Sequence, residues 1–300
     1  MPRPLRIEFE NACYHVMNRG RGRQTIFHDE RYYQAFLQGL SEAHQRFGLI
    51  IHAYCLMGNH YHLLVTTPHG NLSRCMRHIS GLYTQRYNQF KKTDGPLFRG
   101  RFKAILVEVD NYFLPLTRYI HRNPVETRPP LVKRLVDYRW SSYPAYLNQS
   151  DVSWLDRELA YALSGKKQRY RGYQAYVENK QDESELNEFY SKQHLKPILG
   201  SDAYIERVIQ DTADREEKTR LSRAQNHLPT LETIVDKVAQ EFDISRNRLC
   251  QSRRGPGSKN IARWAAVYLC RELSGCNLKE VSLYFNFRHI ISAFDVFHPP

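Results

Sequence analysis

The sequence predicts an α+β chain built in more than one unit, and three observations carry that prediction. Over residues 1–148, short β-prone runs that alternate apolar and polar residues are interleaved with stretches of helical apolar spacing. Residues 149–224 are helical by composition, with an acidic cluster over Asp182 to Glu188 and alternating charge over Arg215 to Arg223. A fresh apolar periodicity then begins after Leu228-Pro229-Thr230. At 300 residues the chain exceeds the usual size of one domain.

Pro2 to Glu10 is basic and short on pattern. Cys13-Tyr14-His15-Val16-Met17 alternates as a first strand and ends at Asn18-Arg19-Gly20-Arg21-Gly22-Arg23. Arg19, Arg21 and Arg23, separated by small residues, suit a backbone lying close to phosphates, or an ordinary charged turn. Asp29 caps a helix from about Glu30 to Phe47, with Tyr33, Phe36, Leu37, Leu40 and Ala43 on its stripe and Gly48 at its end. Ile51 to Val65 reads as a hairpin turning at Gly58-Asn59. In its returning strand His60, His62 and Leu64 share one face, while Tyr61, Leu63 and Val65 share the other and belong against a core. The two imidazoles could hold one metal ion, or be two polar residues on a solvated sheet face.

Asn71 or Ser73 starts a second helix that runs to about Phe90, with Leu72, Met76, Ile79, Leu82 and Tyr83 on one stripe. Gly95 to Lys103 follows, where Arg99, Arg101 and Lys103 interleave with Phe98 and Phe102. That interleaving suits phosphate neutralisation with base stacking, and the two phenylalanines equally suit core anchoring. A strand over Ala104 to Val109 leads to a third helix, capped by Asp110, over about Tyr112 to His121, which Asn123-Pro124 terminates or kinks. The order strand, helix, two strands, helix, strand, helix favours one antiparallel, ferredoxin-like sheet with helices on one face. The other face, carrying the histidines, would be free to bind DNA.

Forty-four Lys and Arg against 31 Asp and Glu leave a net charge of +13, which calls for an anionic partner, nucleic acid first. No apolar run approaches the roughly 20 residues needed to span a bilayer, and the amino terminus has no apolar signal core. A cytoplasmic, nucleoid-associated protein with no membrane partner is expected. Six scattered cysteines form no Cys-x-x-Cys pair and read as packed thiols.

Residues 149–224 read as connecting helices, solvated on most faces and without chemistry. Beyond them Thr230 caps a helix with Ile234, Val235, Val238 and Phe242 on its stripe, and a short helix covers Arg246 to Cys250. A further helix runs from about Ser258 to Ser274 after the basic Arg253-Arg254-Gly255, and Leu278 onward reads as a helix-turn-helix.

Tyr14-His15-Val16 with Asn18-Arg19-Gly20, Gly58-Asn59-His60-Tyr61-His62-Leu63-Leu64, Gly95 to Lys103 and Arg118-Tyr119-Ile120-His121-Arg122-Asn123-Pro124-Val125 occur in one order over the first half of the chain. Together they resemble the REP-associated tyrosine transposases, which belong to the single-tyrosine HUH nucleases. The resemblance implies cleavage of single-stranded DNA beside a repetitive extragenic palindrome hairpin, through a covalent 5′-phosphotyrosine. It implies Tyr119 as nucleophile, His60 and His62 as metal ligands, and magnesium or manganese as the ion. A polar residue one turn after the tyrosine completes the metal site in related transposases, and here that residue is Asn123. Arg122 joins Arg19, Arg21, Arg23, Arg99, Arg101 and Lys103 as an expected DNA contact, and a homodimer is compatible with this reading.

Asn260-Ile261-Ala262-Arg263, Tyr268 to Leu273 and Leu278-Lys279-Glu280-Val281 resemble the DNA-binding domain of the bacterial replication initiator DnaA. Arg253, Arg254, Lys259 and Arg288 are its expected DNA contacts. Arg288-His289-Ile290-Ile291-Ser292 departs from the initiator's Asp-His-Thr-type base-reading sequence, so its target need not be kept. No Gly-rich Lys-Ser/Thr loop is present, which sets aside an initiator ATPase. The alternative to a strand transferase is a DNA-binding regulator whose nuclease site has decayed.

Overall fold

A computed structural model describes residues 6–165, 169–179, 184–192, 195–225, 229–250, 261–274, 276 and 278–287. The chain divides into two compact units, 1–209 and 210–300. The first is a mixed α+β unit organised on a five-stranded sheet of order β2-β3-β1-β4-β5. Strands β1 (Ala12–Arg19), β2 (Ile50–Met57), β3 (His60–Thr67) and β4 (Lys103–Val107) pair antiparallel, whereas β5 (Ile198–Leu199) joins β4 in parallel. The sheet is therefore mixed rather than purely antiparallel, because its edge is completed by a strand from beyond residue 148.

Helix α1 (Glu30–Phe47) begins where the Asp29 side chain accepts the Arg31 N–H at 3.0 Å, and ends at Gly48, whose φ of 67° suits a residue without Cβ. Its buried stripe is Tyr32, Ala35, Phe36, Leu40 and Ala43. Fully burying a side chain such as Phe36 or Leu40 contributes about 1.5–3 kcal/mol. Tyr33 lies beside that stripe and stacks on Trp140 with ring centroids 4.2 Å apart. Helix α2 (Leu72–Lys91) packs against α1 and sends Tyr83 onto Phe36, which itself contacts Tyr61 of β3. Phe98 is a core anchor of this layer, 9% exposed against Tyr61 and Tyr83, and half-buried Phe102 lies under the Arg6 guanidinium.

Helix α3 (Val109–Glu126) packs against the opposite sheet face, so helices cover both sides and the face carrying His62 is not free. The residues of that face explain why. Leu64, Ile105, Val107 and Cys13 accompany the histidines on it, and strands apolar on both sides are strands covered on both sides. Helix α3 also runs past the expected stop at His121, with Pro115 and Pro124 inside it, and starts at Val109 without a side-chain cap from Asp110. Pro124 falls in the last turn, where its carbonyl accepts from Leu131 N at 2.9 Å, so the helix closes after the proline rather than before it.

Residues 149–209 are not solvated connectors. Helices α4 (Tyr143–Tyr146), α5 (Glu158–Gly165), α6 (Arg169–Glu178) and α7 (Ser184–Ser191) follow α3, and Leu155, Tyr161, Tyr173, Val177, Leu186 and Ile198 all join the first core. Helix α8 (Asp202–Gln225) begins in this unit, with Ser201 N and Oγ held by the Glu108 carboxylate.

The second unit contains α9 (Leu231–Glu241), α10 (Arg246–Cys250), α11 (Ile261–Leu273) and α12 (Leu278–Tyr284). Thr230 caps α9 by accepting from Thr233 N at 3.2 Å. Ile234, Val235 and Val238 are buried with Leu249, Ala266, Val267, Val281 and Phe285, while Phe242, expected on the stripe, is 43% exposed. Arg263 is buried and ties Leu249 O and Phe285 O together at 3.0 and 2.6 Å. Among the described residues no helix is long and apolar enough to cross a membrane. All six cysteines are free thiols.

Candidate active site

The site forms where β3 leaves the Gly58-Asn59 turn. His60 and His62 come from β3, and Arg19 and Met17 of β1 sit directly opposite them. Their ring centroids lie 5.2 Å apart at 81°. His60 is partly exposed and His62 is 7% exposed. Tyr119, on α3, brings its ring edge-on to His62 at 5.9 Å and to His15 at 6.1 Å.

The protonation states suit cation binding. Burial holds His60 below the ordinary histidine range, and burial with His15 and His60 alongside holds His62 well below it. Both are neutral at pH 7, which leaves each a lone pair. His60 Nδ1 donates to the Asn59 Oδ1 acceptor at 2.6 Å, so its lone pair is on Nε2. His62 Nδ1 lies 2.9 Å from His15 Nε2, which leaves His62 Nε2 as its outward nitrogen. These donors fit a divalent ion. Among the described residues no group of three His, Cys, Asp or Glu side chains is placed to hold a metal, so other oxygens would have to complete the coordination.

Asn123 keeps its amide oxygen, the atom by which an amide ligates a cation. Its Nδ2 turns back on the helix and donates to the Tyr119 carbonyl at 2.8 Å, which leaves only Oδ1 for a cation. Arg122 is likewise engaged inside its own unit, with Glu126 at 2.7 Å and the Val177 carbonyl at 3.2 Å, instead of facing the cleft.

The cleft itself has a volume of ≈ 1210 Å³ and is lined by His60, His62, Arg19, Arg23, Arg99, Arg101 and Lys103. Backbone pairing builds this basic wall. Arg99 N donates to Arg19 O at 3.0 Å and Arg21 N to Leu97 O at 2.9 Å, sewing residues 97–99 to the end of β1. Gly20 is required there, since a Cβ would come within 2.3 Å of the Gln24 carbonyl. Asn59 joins the two halves: its carbonyl accepts from Gly20 N at 2.9 Å, its Nδ2 donates to Arg23 O at 3.3 Å, and its Oδ1 holds His60. Arg21 is exposed on the adjoining turn. Arg253, Arg254, Lys259 and Arg288 lie outside the described residues.

Two residues of the site were not expected. His15 of β1 is solvent-free, and burial pushes its pKa down to about 3. Tyr190 of α7 places its hydroxyl 2.5 Å from His15 Nδ1 and stacks on Tyr119 with centroids 4.7 Å apart at 9°. The Tyr119 phenol is pushed up to about 12, by burial first and Glu126 second, and is protonated at neutral pH.

Residues 8–123 match the family model described as transposase IS200 like, a stretch running from just before β1 into α3 that takes in His60, His62 and Tyr119. Two solved structures are similar in part. One is a REP-associated tyrosine transposase bound to a REP hairpin, 18% identical over 52% of this chain and 98% of that chain, with a TM-score of 0.43. The other is a Deinococcus radiodurans R1 protein that carries a transposase name, 17% identical over 41% of this chain and 97% of that one, with a TM-score of 0.29. No curated protein matches the chain.

Proposed function

We infer that this chain is a DNA endonuclease and strand transferase of the IS200-like kind, acting on single-stranded DNA beside a hairpin through a phosphotyrosine link. One observation carries the reading: within the stretch that matches the family, Tyr119 packs edge-on against the ring of His62, and His62 lines a cleft walled by Arg19, Arg23, Arg99, Arg101 and Lys103. The strand order β2-β3-β1-β4 supports the ferredoxin-like arrangement, and the helices α9 to α12 described after residue 229 support a separate helical DNA-binding unit.

The basic wall would hold the phosphates of a strand and fix its register, while α3 holds Tyr119 against the histidines. The Tyr119 oxygen attacks the scissile phosphorus in line. A phosphorus–oxygen bond to tyrosine forms as the bond to the 3′ oxygen breaks, and the phenol proton is balanced by one taken up at that oxygen. The products are a free 3′-hydroxyl and a 5′-phosphate ester on the protein. One phosphodiester replaces another, so rejoining needs no ATP. A magnesium or manganese ion held by His60 and His62, with Asn123 Oδ1 as a third donor, would polarise the phosphate that Tyr119 attacks.

The test is a cleavage reaction on hairpin oligonucleotides with Mn2+, followed by peptide mapping of any denaturant-resistant adduct. The expected result is an adduct on Tyr119 that Tyr119→Phe abolishes while DNA stays bound. Binding without cleavage in the wild-type chain would leave the regulator reading, and cleavage with no adduct would make water the nucleophile.

A further inference from the structure

We propose that His15 and Tyr190 are positioning residues that tie Tyr119 to the cation-binding imidazole: Tyr190 stacks on Tyr119 and, through His15, accepts the hydrogen-bond chain that starts at His62 Nδ1 when His62 Nε2 takes a cation. The proposal rests on the reading of His62 as a cation ligand. The geometry is a continuous chain, with Tyr190 Oη 2.5 Å from His15 Nδ1 and His15 Nε2 2.9 Å from His62 Nδ1. His15 and His62 are also stacked at 5.1 Å, and the Tyr190 ring meets His15 edge-on at 5.3 Å. Nothing in the transfer step needs His15 or Tyr190 to touch DNA.

Each neutral imidazole has one donor and one acceptor nitrogen, so the chain has only two consistent directions. In one, Tyr190 donates to His15 and His15 donates to His62 Nδ1, which puts the remaining proton of His62 on Nε2 and closes it to a cation. In the other, His62 Nδ1 donates to His15 Nε2 and His15 Nδ1 donates to the Tyr190 oxygen, which opens His62 Nε2. Cation binding therefore selects the second direction. A ligated imidazole is also the stronger donor, so the hydrogen bonds down the chain strengthen in that state. Tyr190 is the terminal acceptor, and the same ring is held face to face with Tyr119.

Two variants separate the roles. Tyr190→Phe keeps the stack and removes the oxygen, whereas Tyr190→Leu removes both. Measured by calorimetry, Mn2+ affinity is expected to fall in each, by less than the roughly tenfold or more that follows loss of a ligating histidine's own outer partner, since Tyr190 acts one hydrogen bond further out. At saturating Mn2+ the rate of adduct formation should fall further in Tyr190→Leu than in Tyr190→Phe. In 15N spectra of the metal-free protein, the His62 ring signals should shift in Tyr190→Phe, although Tyr190 bonds His15 and not His62. Unchanged Mn2+ affinity with unchanged His62 signals in Tyr190→Phe would overturn the proposal, as would a wild-type adduct rate in a folded Tyr190→Leu. If the wild-type chain neither takes up Mn2+ nor forms an adduct, the function reading fails, and the imidazole spectra alone decide whether the relay exists.

Discussion

His15 on β1 and His121 on α3 are near twins in every local respect. Each is solvent-free, each is pushed down to about 3 by burial, and each is held at both ring nitrogens. Each also takes one of those bonds from a tyrosine beyond residue 148, Tyr190 for His15 at 2.5 Å and Tyr173 for His121 at 2.8 Å. They differ in where the second bond leads. His121 Nε2 meets Ser142 Oγ at 2.6 Å, and that oxygen is itself bonded to the Tyr54 backbone, so the chain ends inside the core. His15 instead meets His62, whose ring lines an open basic cleft. Burial and a displaced pKa are common to both, so neither identifies a site. A path from the buried group to a surface with matching charge does.

Truncating either histidine should separate the two hydrogen-bond paths by the largest effects. His62→Ala should abolish cleavage and Mn2+ uptake while hairpin DNA remains bound, since the arginine and lysine wall is expected to supply the affinity. His121→Ala should leave Mn2+ affinity intact yet destabilise the first unit by about 2–4 kcal/mol in denaturant melts, because Ser142 and Tyr173 lose a buried partner. Equal losses of metal binding in the two variants would erase the distinction drawn between them.

Acid should act on both histidines alike. Their folded pKa values lie below the ordinary 6.5, so the unfolded chain binds the extra protons and stability falls as pH drops below about 6.5. The loss is about 1.4 kcal/mol per histidine per pH unit until the folded values near 3 are reached. Melts of the wild-type chain between pH 7 and 5 check the slope, and His121→Gln should lower it by one histidine's share. The smallest effect belongs to the cleft wall. Arg101→Ala should weaken DNA binding several-fold and reduce the slope of log affinity against log salt by about one contact. An unchanged slope would remove Arg101 from the phosphate-contacting set.

Much of the first sheet was legible from local pattern. The Gly58-Asn59 turn, the alternation of His60 and His62 with Tyr61 and Leu63, and the Asp29 and Gly48 boundaries of α1 each depend on a few neighbouring residues. The covered histidine face was less legible, because Leu64, Ile105 and Cys13 had to be recognised as a second apolar side across three strands. Tyr190 was missed for a similar reason. Its stretch is acidic and short, yet Leu186, Phe189 and Tyr190 have the three-and-four spacing of a buried helix face, and Tyr173, Tyr176 and Val177 repeat it on α6. What the spacing could not supply is the partner, since contact with His15 spans 175 positions. Asn123 lies one turn after Tyr119 on α3, as its spacing predicts, and its amide nitrogen takes the Tyr119 carbonyl, so Oδ1 is the atom left over.

The β4–β5 pairing has a consequence for how such a chain can be cut and recombined. Leu106 and Val107 meet Ile198 and Leu199 in register, and Leu106 N donates to Pro197 O at 2.9 Å. A gene fragment stopping at residue 148 would encode an open sheet edge, a helix α3 stripped of Tyr173 and Tyr190, and a Tyr119 with one ring face bare. Fusion, shuffling or exchange of the helical unit is therefore expected to work only at junctions after Ile209, where the first core has already been completed. The smallest inheritable piece of the first unit runs about 85 residues past the end of the stretch that matches the family, from residue 123 to residue 209.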